Sequence, residues 1–261
     1  MGQGRPRDSQ CVRTYTVKDK TTTMKKLTMT RLIDKLLPRL GLVRNQLSLE
    51  AVLGRCRTRG TRVNAVIDVG ASNGCWSKRV VKQFPQASFL MVEARHEHES
   101  GLQKNVRNIP NFDYVIAAAG NRVGSIFFDA TQLFGGLASD IPFEHNCIEV
   151  PVTTIDTLVR EKGLKPPFLI KLDTHGFEVP ILEGARETLA QCSLVILETY
   201  NFAIADQSLR FHEMCAHMEQ YGLRCLDICE PMHRPGDGAF WQIDLVFAPG
   251  DDKVFSSNSY E

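Results

Sequence analysis

The chain has no apolar run approaching the ~20 residues a helix needs to cross a bilayer, so a helical membrane span is not its organising element. Its first residues lack the apolar core of a secretory signal. Met1-Gly2 opens like a myristoylation site, but Pro6 stands where that motif needs Ser or Thr. Eight cysteines in 261 residues are too sparse for a disulfide scaffold. Cys75, Cys192, Cys215 and Cys225 fall inside predicted strands and helices, so reduced thiols and a cytoplasmic location are expected. No C-x2-C pair occurs, and the spacing of His212, Cys215, His217, Cys225, Cys229 and His233 does not match a structural zinc site. The G-x-G-x-x-G fingerprint of a dinucleotide fold is also missing.

Charge is present but unevenly divided. Residues 1–62 carry 15 Lys+Arg against 4 Asp+Glu, a net +11, and the remainder carries −10. A basic arm on an acidic body suits an anionic partner or a membrane surface, and it equally suits a solvated tail. No nucleic-acid partner is expected. Residues 1–23 are polar and threonine-rich. From Met24 to Leu42, Leu32, Ile33, Leu36, Leu37 and Leu40 recur at helical spacing, with Lys and Arg between them and Pro38 as a kink. Such a helix packs on its own domain, on a second copy in a homodimer, or on a membrane surface as a peripheral contact. Ser48 to Arg57 reads as another short helix, with Leu49, Val52 and Leu53 on one face. The predicted organisation is a basic N-terminal extension over 1–61, a catalytic domain over 62–250 and a polar tail over 251–261.

The domain opens on Val63 to Gly74. A β-branched run ends in Asp68, a turn Gly70-Ala71-Ser72-Asn73-Gly74 follows, and a helical pattern begins at Cys75. Strand, tight turn and helix in that order open a nucleotide-binding α/β fold. Gly70 and Gly74 would let backbone approach a ligand, and the turn would present free N–H groups to it. Two ligand readings fit. The turn matches G-x-S-x-G, the elbow that carries a hydrolase nucleophile, here Ser72. It also suits S-adenosylmethionine, with Asp68 at the amino-acid end. The next strand favours the second reading, because it ends in Glu93, where a carboxylate accepts two hydrogen bonds from a ribose diol. The expected cofactor-binding set is Asp68, Gly70, Ala71, Ser72, Asn73, Gly74, Glu93 and Ala94, with Ala117 and Ala118 lining the base.

The predicted strands are 63–69, 87–93, 112–118, 167–173, 192–200, 223–229 and 240–247. Helices are predicted near 75–84, 96–107, 155–162, 177–190 and 208–221. Strands alternating with helices give a parallel doubly wound sheet. The link from Pro231 to Gly238 is too short for a helical crossover, so one late strand runs antiparallel. The fold class is therefore α/β, a Rossmann-like seven-stranded sheet, mostly parallel with one antiparallel edge strand. Asp129 to Asn146 is long for a connector and would cover an acceptor.

A second acid-rich stretch begins at Phe168. Asp68, Glu93, Asp173 and Glu198 all fall at strand ends, where open α/β sheets bind ligands. His175 is a candidate base because imidazole titrates near neutral pH, and Asp173 is the alternative. Glu178 would pair with the helix N-terminus or with Lys171. Asp173, His175 and Glu198 carry the donor types that suit Mg, Mn or Zn; a divalent metal is not predicted.

Three motifs in order resemble the FkbM family of S-adenosylmethionine-dependent methyltransferases. They are Asp68-Val69-Gly70-Ala71-Ser72-Asn73-Gly74-Cys75-Trp76-Ser77, then Val150 to Leu158, then Lys171-Leu172-Asp173-Thr174-His175-Gly176-Phe177-Glu178 continuing to Ala185. His175 departs from the family pattern, which usually has Glu or Gln there. The resemblance implies O-methyl transfer to a hydroxyl of a sugar, glycan or glycosylated natural product, so a small-molecule or glycan acceptor is the expected partner. A Ser72 hydrolase and a non-catalytic nucleotide-binding module remain the alternatives.

Overall fold

The computed structural model describes residues 46–206 and 208–260. The amphipathic segment 24–42 and the basic tail before it lie outside these residues. Among the described residues no helix is long and apolar enough to cross a membrane.

A compact unit begins at Gln46. Its first helix, α1 (Leu49–Thr58), is capped by the Ser48 hydroxyl, which accepts from the Ala51 N–H. Leu49, Val52, Leu53 and Cys56 are buried against Val66, Phe84, Phe89, Leu194, Ile196 and Val246. Arg55 grips Asp227 through Nε and Nη2 at 2.9 and 3.0 Å, and Glu230 accepts from the Leu49 N–H at 2.8 Å. This helix is therefore part of the domain and not of the extension, which corrects the boundary expected at residue 62. An apolar helical face covers a sheet that would otherwise be exposed to water.

The main sheet holds β1 (Ala65–Val69), β2 (Ser88–Glu93), β3 (Phe112–Ile116), β8 (Phe168–Leu172), β9 (Cys192–Tyr200), β10 (Leu223–His233) and β11 (Phe240–Pro249). Its order is β10-β11-β9-β8-β1-β2-β3. Only β11 runs against the rest, one place in from the β10 edge. Every residue of β1 and β8 is buried, because helices cover both faces of a parallel centre. One face packs α4 (Ile155–Glu161), α5 (Glu178–Glu183), α6 (Arg186–Leu189) and α7 (Phe211–Glu219); the other packs α1, α2 (Cys75–Val80) and α3 (Glu99–Asn108). The strand order reverses between β1 and β8, so the crevice at their carboxyl ends is the expected ligand site.

Residues 118–153 form a second sheet that the sequence reading did not contain. It comprises β4 (Ala118–Ala119), β5 (Gly124–Asp129), β6 (Ala138–Ser139) and β7 (Cys147–Thr153), in the order β4-β7-β5-β6. Ile126, Ala138, Val150 and Val152 give it a small core of its own. The helix expected over 177–190 is broken at Gly184. A β-carbon on Gly184 would lie 2.0 Å from the Gly120 carbonyl oxygen, so the break lets the two backbones touch.

Candidate active site

The turn after β1 is folded inward more than its glycine content suggests. The N–H groups of Gly70 and Ala71 donate to the Val92 carbonyl at 3.0 and 3.1 Å. The Ser72 N–H donates to Glu93 Oε2 at 2.7 Å, and the Asn73 carbonyl accepts from Asn105 Nδ2 at 2.7 Å. Gly70, Ser72 and Gly74 all have positive φ, at 73°, 49° and 76°. A β-carbon on Gly74 would meet Asn105 Nδ2 at 2.4 Å, and one on Gly70 would meet the Asp173 carbonyl oxygen at 2.0 Å. Both glycines are thus required by neighbouring protein, whatever else the turn approaches.

Asp68 is wholly buried beneath this turn. Its Oδ2 accepts from Ser77 Oγ at 2.7 Å, and its Oδ1 faces Lys171 Nζ at 3.5 Å without a hydrogen bond. Burial raises its pKa against the pull of Lys171. Asp68 thus holds the start of the helix after the turn from below.

Glu93 ends β2 with 6% exposure. Its two oxygens accept from the Ser72 and Arg95 N–H groups at 2.7 and 2.8 Å, which fixes the carboxylate and leaves a lone pair on each for a diol. Ala117 donates its N–H to the Glu93 carbonyl at 2.9 Å, and Ala94 packs against the small core that contains Ala118. Arg95 donates to the Gln132 carbonyl at 3.0 Å, and His98 Nε2 meets the Leu133 carbonyl at 3.0 Å. The start of the 129–146 segment is therefore tied to the Glu93 end of the crevice.

The rim continues across β8, β9 and β11 on the same face. Lys171, 5% exposed, ion-pairs Asp173 Oδ2 at 2.9 Å and lies 5.7 Å from the Trp76 ring centre. Burial works against its charge, but Asp173 and Asp68 outweigh it and raise its pKa. Asp173 is held below the usual carboxylate range, since Lys171 and His175 overcome its burial. His175 sits in the left-handed region at φ 53°, in the turn before α5. Its Nδ1 is 2.9 Å from the Tyr200 hydroxyl and 3.4 Å from Glu198 Oε1, and its Nε2 is 3.9 Å from Asp173 Oδ1. Burial disfavours the imidazolium, but the hydrogen bond to Glu198 and the charge of Asp173 prevail and raise the pKa. The Tyr200 hydroxyl donates to Glu198 Oε1, and Gln242 Nε2 donates to Glu198 Oε2 at 2.7 Å. Asp244 stands opposite Glu198 in register. Burial, then the Glu198 charge, pushes Asp244 up to about 7. Glu178 accepts from the Gly176 N–H and the Thr174 hydroxyl, both at 3.0 Å, and not from Lys171.

The motif match extends over most of this frame. The model of the methyltransferase FkbM domain matches residues 68–225, more than half of the chain. The chain belongs to the FkbM methyltransferase family. No curated protein sequence matches it. Solved structures resemble it more distantly. An uncharacterized protein from Listeria monocytogenes is 14% identical with a TM-score of 0.46, over 78% of this chain and 69% of that one. An S-adenosylmethionine-dependent methyltransferase from Clostridium acetobutylicum is 9% identical with a TM-score of 0.43, over 87% and 99%. The precorrin-6y C5,15-methyltransferase from Geobacter metallireducens is 10% identical with a TM-score of 0.41, over 79% and 91%. As a member of the FkbM family the chain is a methyltransferase, with S-adenosylmethionine as cofactor. The fixed carboxylate of Glu93 keeps acceptor capacity that suits the diol of that cofactor.

The hydrolase alternative meets a physical obstacle. Ser72 has the positive φ of an elbow, but among the described residues no histidine is hydrogen-bonded to it. Lys171, Tyr200, Gln242 and Asp244 were not singled out as site residues in the sequence. The lysine and the aspartate were visible as charges inside otherwise apolar strands; Tyr200 and Gln242 gave no such signal.

Proposed function

We propose that this methyltransferase transfers a methyl group to a hydroxyl, on a sugar, a glycan or a glycosylated natural product. The observation that carries the reading is the imidazole of His175 between Asp173 and Glu198, beside the β1–β8 crevice. A hydroxyl must lose its proton as its oxygen attacks, and a base within reach supplies that step. S-adenosylmethionine, when bound, supplies the electrophilic methyl group, and Glu93 with the turn at Gly70 to Gly74 would hold it. His175 takes the acceptor's proton, and Asp173 and Glu198 stabilise the imidazolium that results. Lys171 fixes Asp173 from behind. Tyr200 and Gln242 fix Glu198. The raised pKa of His175 means that the neutral base gains population on the alkaline side of 6.5.

A cytoplasmic site of action fits the thiols: all seven cysteines among the described residues are free. The deciding experiment incubates the protein with isotopically labelled S-adenosylmethionine and a panel of hydroxylated sugars and glycosides. Label in an ether linkage, lost in His175→Ala with cofactor affinity retained, supports the reading. Label found only on nitrogen or carbon acceptors removes it.

A further inference from the structure

Asp173 and Glu198 share a feature that proton transfer does not require. Each carboxylate has one oxygen held from behind by a donor: Asp173 Oδ2 by Lys171 at 2.9 Å and Glu198 Oε2 by Gln242 at 2.7 Å. The other oxygens flank the imidazole: Asp173 Oδ1 lies 3.9 Å from Nε2, and Glu198 Oε1, which also accepts from the Tyr200 hydroxyl, lies 3.4 Å from Nδ1. One ligand atom from each of the three residues lies within 4.8 Å of the others. Metal ligands are oriented in this way, with outer partners fixing one atom so that the other faces the ion. Access exists too, since the side chains of Asp173 and His175 are each 32% exposed. A third carboxylate, Asp244, stands opposite Glu198 in register on the neighbouring strand.

We propose that Asp173, His175 and Glu198 form a binding site for a divalent first-row cation such as Mn²⁺, with Lys171 and Gln242 as the residues that position its carboxylates. Two carboxylates and an imidazole suit Mn²⁺ or Zn²⁺ better than the softer, thiolate-seeking ions. The ion would lie at the acceptor end of the crevice, and an acceptor oxygen bound to it becomes more acidic. In the cation-bound enzyme His175 is a ligand; in the cation-free enzyme it is the base. The proposal stands on the side-chain geometry, independently of which atom the enzyme methylates.

The test is titration of the full chain with MnCl₂, followed by paramagnetic resonance of free Mn²⁺, alongside the visible spectrum with Co²⁺. Saturable binding of one ion per chain is expected. Asp173→Asn, Glu198→Gln and His175→Gln should each weaken it by about 10-fold or more, and Gln242→Leu by about 10-fold. The Co²⁺ spectrum should change in His175→Gln. Circular dichroism identifies any variant that fails to fold, and the wild-type titration stands without the variants. Absence of saturable binding to the wild type overturns the site, as does binding that folded Asp173→Asn and Glu198→Gln leave unaltered. Cofactor titration of the same samples keeps this outcome separate from the methyltransferase reading.

Discussion

Gly70 and Asp173 pass so close that a β-carbon on the glycine would lie 2.0 Å from the Asp173 carbonyl oxygen. This contact joins the two strand ends that flank the crevice. Gly70→Ala should cost about 2 to 4 kcal/mol of folding stability, from the clash and the positive φ together. Chemical denaturation measures it. A loss below 1 kcal/mol, to within about the error of such extrapolations, would mean that the two ends separate cheaply.

Glu93 is a candidate anchor for the ribose. Glu93→Ala should weaken S-adenosylmethionine and its demethylated product alike, by about 2 kcal/mol or more, since hydrogen bonds to a charged acceptor are lost. Calorimetric titration with both ligands checks this. Equal affinity in wild type and variant takes Glu93 out of the cofactor site.

His175 should tie stability to pH. Its folded pKa lies above the ordinary 6.5, so the charged ring stabilises the fold. That contribution is complete below the unfolded value and fades as pH rises through the folded one. The stability gap between wild type and His175→Gln should therefore shrink as pH rises above the ordinary value of 6.5. A gap that grows with pH there contradicts the assignment.

Asp244 should also make stability fall as pH rises, but here because burial disfavours the charged form. Its folded pKa, about 7, exceeds the ordinary 3.8, so the folded protein holds the proton longer than the unfolded chain does. Stability falls as pH rises through that window. Asp244→Asn should be more stable than wild type above pH 7 and equal to it in acid; denaturation at several pH values decides.

Leu53 is fully buried in α1. Leu53→Ala should cost about 2 to 5 kcal/mol if the helix belongs to the domain. A thermal melt that does not move would return α1 to the extension.

The strand ends were legible because β1, β2 and β8 are apolar runs that end in or just before an acid, a pattern of local origin. The family motifs lie on those same ends. The second sheet was not legible. β4 and β6 have two residues each, too short for any periodicity, and Gly135 and Gly136 made the span resemble a loop. The break at Gly184 depends on Gly120, more than sixty positions away, and no local pattern reports such a contact. At the site, Asp173, His175 and Glu93 were visible as chemistry at strand ends. The pairing of Lys171 with Asp173, and of Glu198 with Tyr200 and Gln242, depends on which strands are neighbours and on which face they share. The inward folding of the Gly70–Gly74 turn was likewise hidden, because its partners Val92 and Asn105 lie on other elements.

The backbone contact between Gly120 and Gly184 joins the small sheet to α5. Gly120 follows β4 in the second sheet, and Gly184 ends α5, whose opposite end begins at the His175 turn. Six helical residues therefore separate that sheet from the turn that carries the imidazole. A side chain larger than hydrogen at Gly184 would therefore press on the edge of the small sheet and on the helix that follows the His175 turn together.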